Sequence, residues 1–388
     1  MGSFSGIIER TYLIERVVGL SVYVIALFLT YYMVKRAKNY REVRRSLNMY
    51  LIILTIMGLF FVPDASKDLT RILRNTEYWK TISLGDLFQL ELSRSSTPLG
   101  QIYIYLCRKT QIDGFLPACT AFLFFHNVFY ILKKCYQKLN CSSSSIAVSL
   151  LFFMSSGCFL EVISDIRCFL AFSIVARFIF DEVCLNKNIV RSLPFYLAAV
   201  LIHLSVFPVI VIRLLSYFLF ESKRKTIVRW ISMVVVLAAS FAAFIFLREL
   251  IDAVFAKANS YLSGGNYKYV WEYIIGAGFI GVIVYILRNY KITTKVNSTL
   301  AENASFVILF KISVIFLLGE VIFCFEYNIF HRYILMSLFF AIPLLSGLLT
   351  SHAAEQAVFK RNVIILSILI LGLVCMRGNL CGYKFFIL

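Results

Sequence analysis

Residues 193–220 read LPFYLAAVLIHLSVFPVIVIRLLSYFLF. The run is apolar almost throughout, and it is too long for one simple membrane crossing, which takes about 20 mainly apolar residues. The topology of the whole chain turns on how it folds. Phe207-Pro208 divides it, because proline has no N–H to give to a helix and clashes with the preceding turn. Two arms of about 14 residues would each reach about 20 Å, short of the ~30 Å hydrocarbon core. Backbone freed at such a break is tolerated at membrane depth where protein or a water-filled cavity satisfies it. A re-entrant hairpin over 193–220 is therefore expected, with one long tilted helix as the alternative.

The flanking loops favour the hairpin. Lys35, Arg36, Lys38, Arg41, Arg44 and Arg45 follow the first apolar run, Lys133, Lys134 and Lys138 the third, and Lys187 and Arg191 the fifth. Lys and Arg collect in cytoplasmic loops. A hairpin keeps Lys223, Arg224, Lys225 and Arg229 on that same side, and later Arg288, Lys291, Lys295, Lys360 and Arg361. A single crossing would invert every loop after Phe220. The hairpin puts both chain ends outside. It leaves a large outer loop over 64–114, a second over 248–270 and a short third over 326–332. The QIYIYL stretch of the first loop suits a helix lying on the membrane surface.

Further apolar runs cover residues 17–34, 46–63, 115–132, 146–160, 166–180, 230–247, 271–287, 305–325, 333–350 and 363–376. The fold class expected is an all-α integral membrane protein, a single transmembrane domain over 1–388 with about 10–12 segments. Composition demands the same class. The chain is 60% hydrophobic and 15% charged, against about a quarter charged in a soluble domain, so lipid must solvate its surface. The net charge of +18 follows from the basic loops, and no basic stripe on a soluble face points to nucleic acid. Most of the ten cysteines lie in apolar runs, without CxxC or Cys/His metal spacing, so neither a disulfide framework nor a metal site is expected. The first run is long enough to remain as a span, and no cleavable signal peptide is evident.

Ionisable residues at membrane depth are costly and usually face a cavity or a partner. In the hairpin topology Asp68, Asp165, Arg167, His203, Glu320, His331 and Arg332 all fall near the outer level, although they come from separate segments. Each has an ordinary reading beside the functional one. Arg167 and Arg332 are suited to interfacial anchoring, His203 to packing, and Asp68 to a helix cap. Arg177, Arg213 and Lys311 read as snorkelling or internally paired. Tyr261 lies in the second outer loop beside the hinge-like Ser263-Gly264-Gly265.

The stretch Asp165-Ile166-Arg167-Cys168-Phe169-Leu170-Ala171, a short basic loop, and then His203-Leu204-Ser205 resembles the EpsG/Wzy-type polysaccharide polymerases. Their pattern is an Arg beginning a helix, an Ala four residues on, and H-x-S in the next apolar run. Ser66-Lys67-Asp68-Leu69-Thr70-Arg71 resembles the outer-loop Asp segment of that family, and Thr97-Pro98-Leu99 its Glu-Pro helix start. His331-Arg332-Tyr333 with 339–345 resembles its Arg-Tyr and Pro-Leu-Leu region. The motifs run in the expected order over most of the chain. Cys168 stands where that family has Gln, Thr97 where it has Glu, and Ile72 where an aromatic often follows the Asp.

The resemblance implies a fold like the GT-C-type glycosyltransferases and glycan polymerisation at the outer face of a bacterial cytoplasmic membrane. The substrates would be polyprenyl-pyrophosphate-linked oligosaccharides, with flippase and chain-length regulator proteins as partners and no cofactor. Arg167 and Arg332 would hold the pyrophosphate, since the planar guanidinium fork matches phosphate oxygens. Asp68 and His203 are alternative bases for the acceptor hydroxyl, with Asp165, Glu320, His331 and Tyr261 in support. A lipid-linked sugar flippase and an O-antigen ligase-like transferase are the rival readings.

Overall fold

The computed structural model describes residues 2–62, 68–156, 158–221, 270–296, 303–322, 327–350, 355–380 and 384–385, with isolated positions between 230 and 238. It is helical nearly throughout. Helices α1 (Gly2–Arg36) and α2 (Tyr40–Leu59) lead to a layer of short helices, α3 (Asp68–Asn75), α4 (Leu84–Leu90) and α5 (Pro98–Arg108). Then come α6 (Phe115–Lys138), α7 (Ser143–Ser155), α8 (Cys158–Ser164), α9 (Ile166–Leu185), α10 (Leu193–Ile202) and α11 (Phe207–Ser216). Helices α12 (Val270–Val296), α13 (Ala304–Ile322), α14 (Tyr327–Leu348) and α15 (Glu355–Leu380) follow. The one strand pair among the described residues joins Phe61–Val62 to Lys384–Phe385, antiparallel.

Four helical segments among the described residues are long and apolar enough to cross a membrane: Phe115–Lys138, Leu204–Glu221, Ala304–Val321 and Ala357–Cys375. Large apolar side chains face outward on several helices, among them Ile25 and Leu29 of α1, Ile52 and Ile56 of α2, and Leu318 and Val321 of α13. That is the arrangement expected where lipid is the solvent. Of the run 230–247 only isolated positions up to 238 are described, and of the loop 248–270 only Val270, which opens α12.

Helix α7 is the centre. Every residue from Ser145 to Ser155 is buried. Hydroxyls join it to α14: Ser149 Oγ lies 2.8 Å from Ser346 Oγ, and Ser145 Oγ lies 2.9 Å from Thr350 Oγ1. Such small polar residues let helices approach where lipid offers no hydrophobic drive for association. Phe124 of α6 closes the core against Phe153 of α7, Phe169 of α9 and Phe339 of α14, with ring centroids 6.5, 6.3 and 5.5 Å apart.

The span expected over 146–160 is instead two helices, broken after Ser155. Serine hydroxyls compete with the backbone for its hydrogen bonds. Ser155 and Ser156 turn theirs back to Phe152 O at 2.8 Å and Phe153 O at 2.6 Å. Tyr23 of α1 donates to Met154 O at 2.5 Å. The carbonyls of Phe152, Phe153 and Met154 are thus satisfied inside the protein.

The run 193–220 is also broken, but at His203 rather than at Phe207-Pro208. His203 is extended (φ −158°, ψ 122°) and is followed by a single 3₁₀ turn, Leu204–Val206. Pro208 lies in the first turn of α11, where its missing N–H has no intrahelical partner to lose. The proline therefore starts the second arm instead of making the break. The arms are unequal: α10 has 10 residues, while the second arm continues from Leu204 to Glu221.

The two arms come back to one carboxylate. Tyr196 Oη of α10 donates to Glu182 Oε1 at 2.7 Å, and Arg213 Nε of α11 donates to Glu182 Oε2 at 2.7 Å. A straight helix would set Tyr196 and Arg213 about 25 Å apart, too far for both to meet on one carboxylate. Arg213 also donates to both oxygens of Glu221 at the end of the second arm. Arg213 and Glu182 side chains are each 1% exposed, so the pair is internal rather than snorkelling.

A second ionic knot folds the layer of short helices. Buried Arg108 donates to Glu77, to Asp113 and, at 3.1 Å, to Leu73 O. Hydrogen bonding by Lys80 holds the Glu77 carboxyl below its usual range. For Asp113, burial pushes upward, but hydrogen bonds from Lys80 and Arg108 outweigh it and the net direction is down. The QIYIYL stretch is helical within α5, with Ile104, Tyr105 and Cys107 buried and Leu106 exposed.

Two tests follow. Arg213→Met leaves Glu182 and Glu221 without their cation and is expected to cost about 3–5 kcal/mol, read as thermal unfolding of the purified protein. The double variant Arg213→Met/Glu182→Leu recovers part of that loss. For the layer of short helices, depressed carboxyls stabilise above their unfolded pKa and lose that contribution as pH falls through the folded one. Amide exchange over 77–80 is therefore expected to quicken in acid below the ordinary carboxylate range, before exchange in α6 changes.

Candidate functional site

The bundle has two unlike ends. The basic end holds Lys35 and Arg36 of α1, the start of α7 and the start of α15, where Lys360 Nζ meets Ser144 Oγ at 2.5 Å. Glu182, Asp181 and Lys187 close α9 at this end, with Lys187 Nζ 2.7 Å from Asp181 Oδ2. The loop end holds the end of α2, the short helices and the starts of α6, α9 and α14. A Cβ built on Gly114, just before α6, would lie 1.8 Å from Leu59 O at the end of α2, so only glycine permits this approach.

At the loop end α5 meets the tip of the broken hairpin. A Cβ on Gly100 would lie 2.6 Å from Ile202 O and 3.1 Å from Arg167 Cδ. One point in the first turn of α5 thus touches both the last residue of α10 and the side chain of Arg167. The helix begins at Pro98 because Thr97 is non-helical (φ −131°, ψ 61°) and Pro98 suits the first turn. The Thr97-Pro98-Leu99, Asp165–Ala171 and His203-Leu204-Ser205 segments, which are far apart in sequence, meet here.

The charges are arranged around the start of α9. Asp165 is its N-cap residue. Arg332, in the second turn of α14, donates to Asp165 Oδ2 at 3.1 Å, with both side chains about a quarter exposed (28% and 27%). Arg167 is half-buried and has no hydrogen bond or ion pair to another described residue. The fields of Arg332, Asp165 and Arg167 all reach the buried thiol of Cys168. Of these three charges, two are positive and one negative, and the negative one is already engaged. The excess cation suits an anionic ligand, because guanidinium binds phosphate and carboxylate oxygens bidentately.

His203 closes the group. Its Nδ1 lies 2.7 Å from Ser205 Oγ and accepts the Ser205 backbone N–H at 3.3 Å. Cys168 Sγ lies 3.4 Å from the same Ser205 Oγ. The hairpin tip is thereby tied to the first turn of α9.

Of the residues singled out from the sequence, Asp165, Arg167, His203 and Arg332 come together. Asp68 opens α3, which packs against α8, and pairs with Arg71 one turn on. Its carboxylate makes no hydrogen bond to the His203–Arg167 group among the described residues. Glu320 stands apart: it is fully buried between α13 and α14 and accepts the hydroxyl of Ser337. Ser337 is five residues beyond Arg332, about 7–8 Å deeper along the helix. Tyr261 and the side chain of His331 lie outside the described residues. The roles of Gly100 and Ser205 were not legible in the sequence, although both sit in or beside motifs quoted from it. The Glu182 carboxylate was missed too. Its one signal was an acid in an apolar helix with Arg213 a hairpin's length away.

Comparison with family models, with curated proteins and with solved structures finds no match.

Gly100→Ala is expected to cost about 1–3 kcal/mol, because the added methyl meets backbone that must shift. Gly278→Ala has nothing within 4 Å of the new Cβ and serves as the control. It should stay within about 0.5 kcal/mol of the parent or gain from helix propensity. Thermal unfolding of the two variants in one detergent compares them directly.

Proposed function

We propose that the protein is a glycosyltransferase of the polysaccharide-polymerase type. It would join polyprenyl-pyrophosphate-linked oligosaccharide repeat units at the outer face of a bacterial cytoplasmic membrane. One observation carries the reading: Arg167 and Arg332, from segments far apart in sequence, lie at the same end of the bundle around the start of α9, Arg332 against Asp165 and Arg167 against the first turn of α5. The motif order that resembles the EpsG/Wzy-type polymerases predicts that grouping. The basic loops at the opposite end support an orientation with this site outside.

In the reaction the bond from the anomeric carbon of the donor glycan to the diphosphate breaks, and a bond from that carbon to an acceptor hydroxyl oxygen forms. The hydroxyl proton passes to a base. The diphosphate leaves with the bonding electrons on the carrier lipid. Arg167, with its guanidinium uncommitted among the described residues, meets the developing charge directly. Arg332 approaches it from α14 and is held in place by Asp165. Asp68 is the base, because a carboxylate on α3 in the polar layer is reached from the aqueous side, where an acceptor glycan arrives.

The purified protein given lipid-linked repeat units should lengthen them. Arg167→Ala should lower the rate by roughly 10²-fold or more, and Arg167→Lys should not restore it, because lysine keeps the charge without the fork. Asp68→Asn should leave single repeat units on the carrier, a loss of about 10²–10⁴-fold, while thermal unfolding stays unchanged. Normal polymer from well-folded Arg167→Ala would remove the clamp from the mechanism. Lipid-linked sugar moved across vesicles without any bond formed would replace the transferase with the flippase reading.

A further inference from the structure

Arg177 stands eight residues before the end of α9, towards the end of the bundle opposite Arg167. Asp181 follows it by four residues, the spacing at which an arginine and an aspartate on one helix can pair. No such pair forms among the described residues, and the oxygens of Asp181 go elsewhere. Tyr130 Oη of α6 donates to Oδ1 at 2.8 Å, and Lys187 Nζ donates to Oδ2 at 2.7 Å. The neighbouring Glu182 is taken by Tyr196 and Arg213. Arg177 instead donates from Nη1 to Asn127 Oδ1 of α6 at 3.1 Å. That amide is itself oriented. Asn127 Nδ2 donates to Ser173 Oγ at 3.0 Å, and Ser173 Oγ donates to Leu170 O at 2.8 Å. The guanidinium carbon lies 4.3 Å from the centre of the Tyr130 ring. Stacking uses the flat face of the guanidinium and leaves its edge N–H groups for hydrogen bonds. Of those N–H groups only Nη1 has an acceptor among the described residues, and the buried Nε has none.

Further cations gather on Tyr130. Lys134 Nζ lies 5.7 Å from its ring centre, and Lys187 Nζ lies 3.4 Å from its hydroxyl. Lys133 reaches Asn48 of α2 at 3.4 Å, within the fields of Arg44 and Arg177. Five cations thus surround the single carboxylate of Asp181 among the described residues. Such an excess of one sign is costly at the edge of a low-dielectric core unless an anion joins it. Arg177, Tyr130, Lys133 and Lys134 are half-buried, so the group is reached from the surface of the bundle. We propose that it binds the phosphate of an anionic phospholipid between α6 and α9, with Arg177 as the principal ligand and Lys133 and Lys134 beside it. The guanidinium edge matches phosphate oxygens, and the Asn127–Ser173 relay holds it in place before any ligand arrives. Basic pockets between membrane helices suit such headgroups. A lipid is favoured over a soluble phosphate by what lies on the same face of α6. His126 and Phe122 precede Tyr130 by four and eight residues. Phe122 is exposed and stacks on His126 with centroids 6.0 Å apart, an apolar track for an acyl chain below the cations. Tyr130 lies about 12 Å inside the end of α6, where headgroup and chain meet. The site lies far from Arg167 and is independent of the transferase reading.

The test needs no turnover. Full-length protein is placed in nanodiscs of phosphatidylcholine, with and without phosphatidylglycerol, and its thermal unfolding is followed. Native mass spectrometry counts the phosphatidylglycerol that stays bound. A ligand that binds only the folded state raises the unfolding temperature, so phosphatidylglycerol should raise that of the parent. Arg177→Met should unfold in phosphatidylcholine as the parent does, because no carboxylate loses its partner. It should lose most of the rise, with affinity for phosphatidylglycerol down roughly tenfold or more. Arg177→Lys should recover little, because lysine lacks the planar fork. Lys133→Gln/Lys134→Gln leaves Arg177 and its Asn127 bond in place and should lose part of the rise. Arg191→Gln removes an exposed charge beyond the end of α9 and should keep all of it. A full rise in Arg177→Met, or in the double lysine variant, overturns the site. Earlier unfolding of Arg177→Met in phosphatidylcholine alone makes the arginine a packing residue and also overturns it. A loss in Arg191→Gln as large as in Arg177→Met means diffuse attraction to the membrane surface, with no site. Glycerol 3-phosphate added to phosphatidylcholine nanodiscs should give no rise. A rise equal to that with phosphatidylglycerol would hand the site to a soluble phosphate ester and overturn the lipid.

Discussion

The arrangement of the loop end depends on one buried carboxylate at the other. Glu182 accepts from Tyr196 on one arm of the broken run and from Arg213 on the other. That shared acceptor obliges 193–220 to turn back, and the turn is what carries His203 to Cys168 and Arg167. A buried ion pair is weak as a source of stability, since desolvation offsets most of the attraction. Its value here is geometric. Tyr196, Arg213 and Glu221 are all fixed relative to α9, and few other arrangements would satisfy every polar atom.

Lipid imposes the same discipline at each break. Among the described residues, the interruption after Ser155 finds its donors in Ser155, Ser156 and Tyr23. At the break beside His203 the freed group is the Ser205 N–H, and its acceptor is His203 Nδ1. Irregular backbone within a membrane bundle persists only where protein supplies partners. That acceptor belongs to the group that also holds Arg167, which has no hydrogen bond or ion pair among the described residues.

Close approaches at glycine bring the polar layer onto the bundle. Gly114 lets the end of α2 touch the start of α6, and Gly100 lets α5 rest on the hairpin tip. Arg108 then holds the layer together through Glu77, Asp113 and Leu73 O. The layer is thus a folded platform that carries Asp68 on one of its helices and the Gly100 contact on another.

The sequence by itself determined the class: hydropathy and composition are properties of residues one at a time, and they require helices in lipid. It also pointed to a break in 193–220, with one long helix as the alternative, to basic loops on one side, and to Asp68, Asp165, Arg167, His203, Glu320, His331 and Arg332 near the other. Charge and apolar length alone carry those statements. Only the tertiary structure decided where the break falls, because Pro208 is as compatible with starting a helix as with ending one, and the pairing of both arms on Glu182 selects the start. Only it separated Glu320 from the group, set Asp68 on a neighbouring layer and brought Ser205 onto His203. Such pairings depend on how helices pack sideways, and between apolar helices in lipid that packing is governed by small-residue contacts and single hydrogen bonds, which leave no periodic mark along the chain.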